Sequence, residues 1–194
     1  MKKTIFIFSL VFISSYGMAQ LQPSGPSGNN YYEGSRETAL YSQMTIGIHG
    51  SIASQEFPDY GDCRIQCADD FMITGSKNWQ IDRVEAYGGY WNGSGPATSF
   101  IVEIYADDSG LPAASPIYSQ SGLSYSETSG LFSITLSSPI NLAPGHYWIS
   151  IMAKMEFSVG GQWGWVGHAA PQIFNEFANQ DPCNILGGTW PATF

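Results

Sequence analysis

From Leu40 almost to the end of the chain, short apolar runs follow one another, each closed by Gly, Pro, Asn or Ser. Within the runs, side chains alternate. Phe100, Val102 and Ile104 share one face of Ser99–Ala106, opposite Ile101, Glu103 and Tyr105. Phe132, Ile134 and Leu136 oppose Leu131, Ser133 and Thr135 in Leu131–Ser137, and His146–Ala153 places Tyr147, Ile149 and Ile151 together. A period of two is the signature of a strand, because successive side chains leave a pleated backbone on opposite sides. Cys67–Thr74, Trp79–Trp91, Pro116–Gln120, Glu156–Val159 and Gln162–Val166 are the other expected strands, and Gln172–Asn179 is the one segment read as a short helix. Many short strands without intervening helices predict an all-β fold, an antiparallel β-sandwich of jelly-roll-like type. Composition removes the alternatives. Charged residues are 12% of the chain, about half the usual share and far too few for a long coiled coil. The 14% aromatic content is enough to bury a core, which argues against disorder throughout.

The first nineteen residues read as an address. Lys2 and Lys3 precede an apolar run from Ile5 to Ile13, and small residues stand at Gly17 and Ala19. This is the pattern of a secretory signal peptide over residues 1–19, cleaved after Ala19. The run is too short for the roughly 20 residues of a spanning helix. The mature chain is therefore expected to be secreted or held at the cell surface, without membrane insertion. Residues 20–39 are rich in Pro, Gly and Ser and read as a flexible leader; residues 40–194 form the sandwich domain. Seven basic residues against 16 acidic ones leave no footprint for nucleic acid.

Several motifs recur in a fixed order: Ile52-Ala53-Ser54-Gln55-Glu56-Phe57, Ala68-Asp69-Asp70-Phe71, Trp79-Gln80-Ile81, Tyr105-Ala106-Asp107-Asp108-Ser109-Gly110-Leu111-Pro112, Leu142-Ala143-Pro144-Gly145-His146-Tyr147-Trp148-Ile149-Ser150 and Gln162-Trp163-Gly164-Trp165. In this order they resemble a family of bacterial extracellular β-sandwich domains found in secreted and surface-sorted proteins. The resemblance spans about Leu40 to Trp190 and implies a fold and a location more than an activity. It also implies one further strand beyond that Trp, which leaves closure of the sandwich open.

Residues able to do chemistry are sparse. His49, His146 and His168 lie in no catalytic motif, and His146 is expected to be a turn or face residue. Histidines and cysteines are too scattered for a zinc site. Two Asp doublets stand out. Asp107-Asp108-Ser109-Gly110 is a candidate Ca²⁺ turn, since calcium takes carboxylate and carbonyl oxygens from irregular loops; the same residues are ordinary turn formers. Asp69-Asp70 interrupts an apolar run. A buried carboxyl is costly without a partner, so one of the two is expected to be a structural acceptor tying a neighbouring loop, and the other to face solvent. Adjacent strand residues point to opposite faces, so neither doublet supplies a paired-carboxylate cleft.

Tyr90, Trp91, Trp163 and Trp165 are the candidate ligand-binding aromatics, a platform for sugar rings; with period two, Trp163 and Trp165 fit the inner face of a sandwich equally well. Trp148 within Tyr147-Trp148-Ile149 predicts one aromatic turned in and one out. Of three cysteines, Cys63 and Cys67 are the preferred disulfide, provided a turn joins them, because extended chain would part their Cα atoms by about 13 Å. Cys67–Cys183 is the alternative. The function these features predict is a non-catalytic binding or structural module at the cell exterior, with a glycan or a cell-surface protein as partner. The alternative is an extracellular glycan-active hydrolase or lyase, or a fragment of one.

Overall fold

The computed structural model describes residues 39–43, 49–167, 175, 177–186 and 193–194. The expected signal peptide, nearly all of the leader, and His168 lie outside these residues. Two sheets pack face to face. The first is built from β1 (His49–Ala53), β4 (Trp79–Trp91), β8 (Tyr125–Thr128), β9 (Leu131–Leu142) and β11 (Gln162–Gly167), in the order β1-β11-β4-β9-β8. The second holds β2 (Gln55–Phe57), β3 (Cys63–Ile73), β5 (Ser99–Asp108), β6 (Leu111–Pro112), β7 (Tyr118–Leu123), β10 (Gly145–Lys154) and β12 (Ala178–Gln180); its order is β12-β3-β2-β10-β5-β6, with β7 also on β5. The chain changes sheets repeatedly, and every strand pairing is antiparallel except that of the short β2 with β10. This is the expected all-β sandwich. Among the described residues, no helix is long and apolar enough to cross a membrane.

The faces read from the sequence are the faces buried between the sheets. Phe100, Val102 and Ile104, then Phe132, Ile134 and Leu136, then Ile149 and Ile151 all belong to one core cluster. Trp163 and Trp165 join it from β11, fully buried. The neighbouring strand makes room for them. A Cβ on Gly88 would overlap the Trp163 indole, so Gly88 in β4 lets that ring lie against its backbone. The chain crosses between sheets through Ser54 and Gln55, both fully buried and both satisfied. Ser54 Oγ donates to Ile151 O at 2.7 Å. Gln55 Nε2 donates to the Met155 and Gly161 carbonyls, and Gln55 Oε1 accepts from Trp163 N at 2.7 Å.

Part of the outer face of the second sheet is also buried. Ala68, Tyr105, Trp148 and Ala178 form a second cluster there, and the partly buried Phe194 packs against it. Beside it runs a polar network. Glu56 takes Lys154 and Arg64; Arg64 reaches on to Glu103; Glu103 also accepts from Gln66, Tyr105 and Ser119. Burial pushes the Glu56 carboxyl up, but Lys154 and Arg64 outweigh it and hold the group below the usual range. Two expectations are corrected here. The described end of the expected helix, Ala178 and Asn179, falls instead in the strand Ala178–Gln180 paired with β3. Phe157–Gly160 is a helical turn, α1, and not a strand: Asp59 accepts from Phe157 N and Ser158 N, capping it, and Gly161 ends it. A segment this short fits either element, and the cap from a distant residue decides.

Candidate functional site

Hydrogen bonding gathers four connections at one end of the sandwich. These are the Pro58–Tyr60 turn between β2 and β3, the loop 92–98, the segment 155–161 with α1, and the turn 181–186. Gly95 N donates to Gly160 O, Met155 N to Glu56 O, and Asp59 grips α1. The fourth connection is fastened covalently: Cys63, at the start of β3, is bonded to Cys183, 120 residues away. This overturns the Cys63–Cys67 pairing. Both residues lie in the extended β3, so no turn brings them together, and Cys67 is a buried free thiol. The alternative Cys67–Cys183 bond fails for the same burial.

Three of these connections, all but the loop 92–98, border an open groove of about 570 Å³ lined by Phe57, Tyr60, Phe157, Gln162, the disulfide and Asn184–Leu186. Tyr60 stands at its mouth, 53% exposed, edge-on to Phe57 at 6.2 Å and to Phe157 at 6.3 Å. Phe57 anchors the floor through a small buried cluster with Ala53 and Ile65, against which Trp91, Phe157 and Ile185 pack. Gln162 Oε1 accepts from Asn92 Nδ2 at 2.8 Å. The turn 181–186 is shaped from within: the Asp181 carboxylate accepts from Ile185 N and Leu186 N. A second hollow of about 310 Å³, lined by Pro58, Pro96 and Lys154–Glu156, adjoins Val159, which is 78% exposed.

Of the predicted aromatics, Trp91 alone packs against this site. Trp163 and Trp165 are core residues with no exposed face, and Trp165 Nε1 donates to Ile151 O inside the protein. Tyr90 is turned inward, its hydroxyl accepting from Ala97 N at 3.0 Å and its ring against Phe132. Tyr60 and Phe157 were not among the expected platform residues. A lone Tyr in Pro-Asp-Tyr-Gly reads only as part of a turn, and nothing local ties it to a residue near position 157.

The Asp doublets lie toward the opposite end. Asp107 Oδ1 accepts from Trp148 Nε1 at 2.9 Å and lies 3.4 Å from His146 Nδ1; Asp107 Oδ2 accepts from Gly110 N. His146 Nε2 is 2.7 Å from Asp70 Oδ2, which also accepts from Asn175 N and Nδ2. His146 is thus bracketed by two carboxylates. Asp70 is the buried acceptor that ties down a neighbouring segment. Burial raises its carboxyl, while Asn175 and His146 pull it back. Asp69 does not face solvent. It shares the core-side face of β3 with Cys67 and Phe71, and it is 1% exposed. Its Oδ1 accepts from Asp70 N, its Oδ2 has no partner, and burial followed by the charge of Asp70 raises it well above the usual carboxylate range. Asp108 is exposed, 3.4 Å from the Ser109 hydroxyl. Among the described residues, no three His, Cys, Asp or Glu side chains converge as a metal set. Comparison with known proteins finds no family model, no curated protein and no solved structure that matches this chain.

Proposed function

We propose that the chain is a non-catalytic extracellular binding module whose end groove receives an uncharged sugar. The observation that carries this reading is Tyr60, a half-exposed ring at the mouth of a groove of about 570 Å³. Small-ligand sites have about this volume and combine an apolar lining with a few placed polar groups. Here Gln162 and Asn184 are those groups. A rigid ring propped between Phe57 and Phe157 offers an apolar face at low entropic cost, suited to the C–H face of a pyranose. None of the groove-lining residues is Asp, Glu, His, Lys or Arg, so the lining supplies no acid–base pair for hydrolysis. The net charge of −9 repels acidic glycans and favours uncharged ones. An extracellular setting agrees with a disulfide that closes the groove, since such bonds persist in oxidising compartments.

The test is an array of uncharged and acidic oligosaccharides probed with the full chain and with Tyr60→Ala. Retention of uncharged members, lost in the variant with an unchanged circular dichroism spectrum, is expected. Retention that ignores Tyr60→Ala, or of acidic members alone, would overturn the reading. Release of shortened products would move the assignment to the enzyme class.

A further inference from the structure

We infer that the Cys63–Cys183 disulfide is the latch of the groove: the site exists while the bond is closed and is lost when a dithiol opens it. This rests on the reading of the groove as a ligand site and adds its regulation. The two walls differ in how they are held. Phe57, Tyr60, Phe157 and Gln162 belong to β2, β11 and the connections pinned between them. The other wall, Cys183 to Leu186, is a turn whose Asp181 hydrogen bonds are internal; they shape the turn without fastening it. Its links to the body among the described residues include the three-residue β12, the Gln180 Nε2 to Gln66 Oε1 bond, the packing of the partly buried Ile185, and the disulfide. β12 ends at Gln180, so the disulfide is the one covalent tie within the wall itself.

The bond is also within reach. It lines the groove, and Cys183 is exposed. Exposed disulfides are the ones that exchange readily. A dithiol thiolate attacks Cys183 Sγ and expels the Cys63 thiolate as a mixed disulfide forms. The second thiol of the reagent then displaces Cys183 and closes a cyclic disulfide. Two electrons and two protons pass to the protein, which ends with two thiols. Cys67 takes no part, because it is buried in the core side of β3.

Hydrogen exchange read by mass spectrometry on the full chain, before and after dithiothreitol with alkylation of the freed thiols, tests the latch. Calorimetry with phenyl β-glucoside, an uncharged probe carrying one aromatic and one pyranose ring, accompanies it. On reduction, protection of the 181–186 amides should fall about ten-fold or more while β5 and β10 stay protected, and probe affinity should fall about ten-fold or more. Ile185→Ser, with the disulfide intact, should weaken the probe similarly and leave little for reduction to remove. Unchanged exchange at 181–186, or unchanged affinity, overturns the latch. So does loss of protection in β5 and β10, which would make the bond a prop of the whole fold. If the oxidised protein does not bind the probe, the ligand reading fails, and exchange alone decides the latch.

Discussion

Replacing Asp69 with Asn should stabilise the protein by an amount that grows with pH. Asp69 is 1% exposed on the core-side face of β3, and its Oδ2 has no partner. Burial, and then the charge of Asp70, raise its carboxyl well above the usual range. The folded state therefore keeps a proton that the unfolded chain releases above about 3.9. Over that window the unfolded state binds one proton fewer, so unfolding free energy falls as pH rises, by about 1.4 kcal/mol per pH unit. Asn keeps the oxygen that accepts from Asp70 N and cannot ionise. The difference, variant minus parent, should be small near pH 3.5 and then climb by about 1.4 kcal/mol per unit up to the folded-state value. In a domain of this size, that is roughly 3–6 °C of melting temperature per pH unit. Taking the difference cancels most other titrations, including that of Glu56, whose lowered carboxyl acts in the opposite sense. The assay is urea denaturation of both proteins at half-unit steps from pH 3.5 to 7. Parallel curves would refute the reasoning.

Other consequences are as open to measurement. Trp163→Ala should cost about 3–5 kcal/mol, read as a melting-temperature fall of roughly 6–20 °C. Gly88→Ala should also destabilise, because its methyl overlaps the same indole; a thermal melt matching the parent would contradict the packing described. Glu103→Ala leaves Arg64 paired with Glu56 but removes the acceptor of the buried Gln66 and Tyr105 donors. Leaving a buried donor without its acceptor costs about 1–3 kcal/mol, which chemical denaturation would register. Calcium at millimolar concentration should leave the melting curve unchanged, since Asp107 is engaged by Trp148, His146 and Gly110. A rise reversed by chelation and absent in Asp107→Asn would restore the calcium reading of that turn.

Much of the sandwich was legible because its information is local. Period-two runs name their own buried face, and the Trp79–Trp91 strand has the limits that its flanking turns predict. What the runs leave unsaid is which strand covers which. Trp148 lies on the face of β10 opposite Ile149 and Ile151, yet it is fully buried, in a cluster with Ala68, Tyr105 and Ala178 against which Phe194 packs. Asp69 and Asp70 are buried for separate reasons: Asp69 lies on the core side of β3 with Cys67 and Phe71, and Asp70 is held by His146 and Asn175. Short elements were illegible for a related reason. β2 has three residues and owes its existence to Ser54, Gln55 and Glu56 bonding across both sheets, which no window of sequence contains.

The groove shows why sites are harder to read than folds. Its lining comes from positions 57–63, 157–162 and 183–186, three stretches that nowhere approach one another along the chain. Each is ordinary alone: a Pro-Asp-Tyr-Gly turn, a Phe-Ser-Val-Gly segment, a Pro-Cys-Asn turn. The tryptophans drew attention because large aromatics are conspicuous in a list of residues, but a large ring is conspicuous in a core for the same reason. Exposure separates the two roles, and exposure is a property of the assembled sheets. One sequence signal did point to the site, the cysteine in the last turn. A chain with one cysteine near position 183 and two in an early strand has to choose a partner. An extended β3 holds Cys63 and Cys67 too far apart to bond, but the two are four residues apart and share one face, so alternation does not choose between them as the partner of Cys183. The assembled sheets make the choice: Cys67 is buried in the core, and Cys63 opens the strand beside the turn that carries Tyr60.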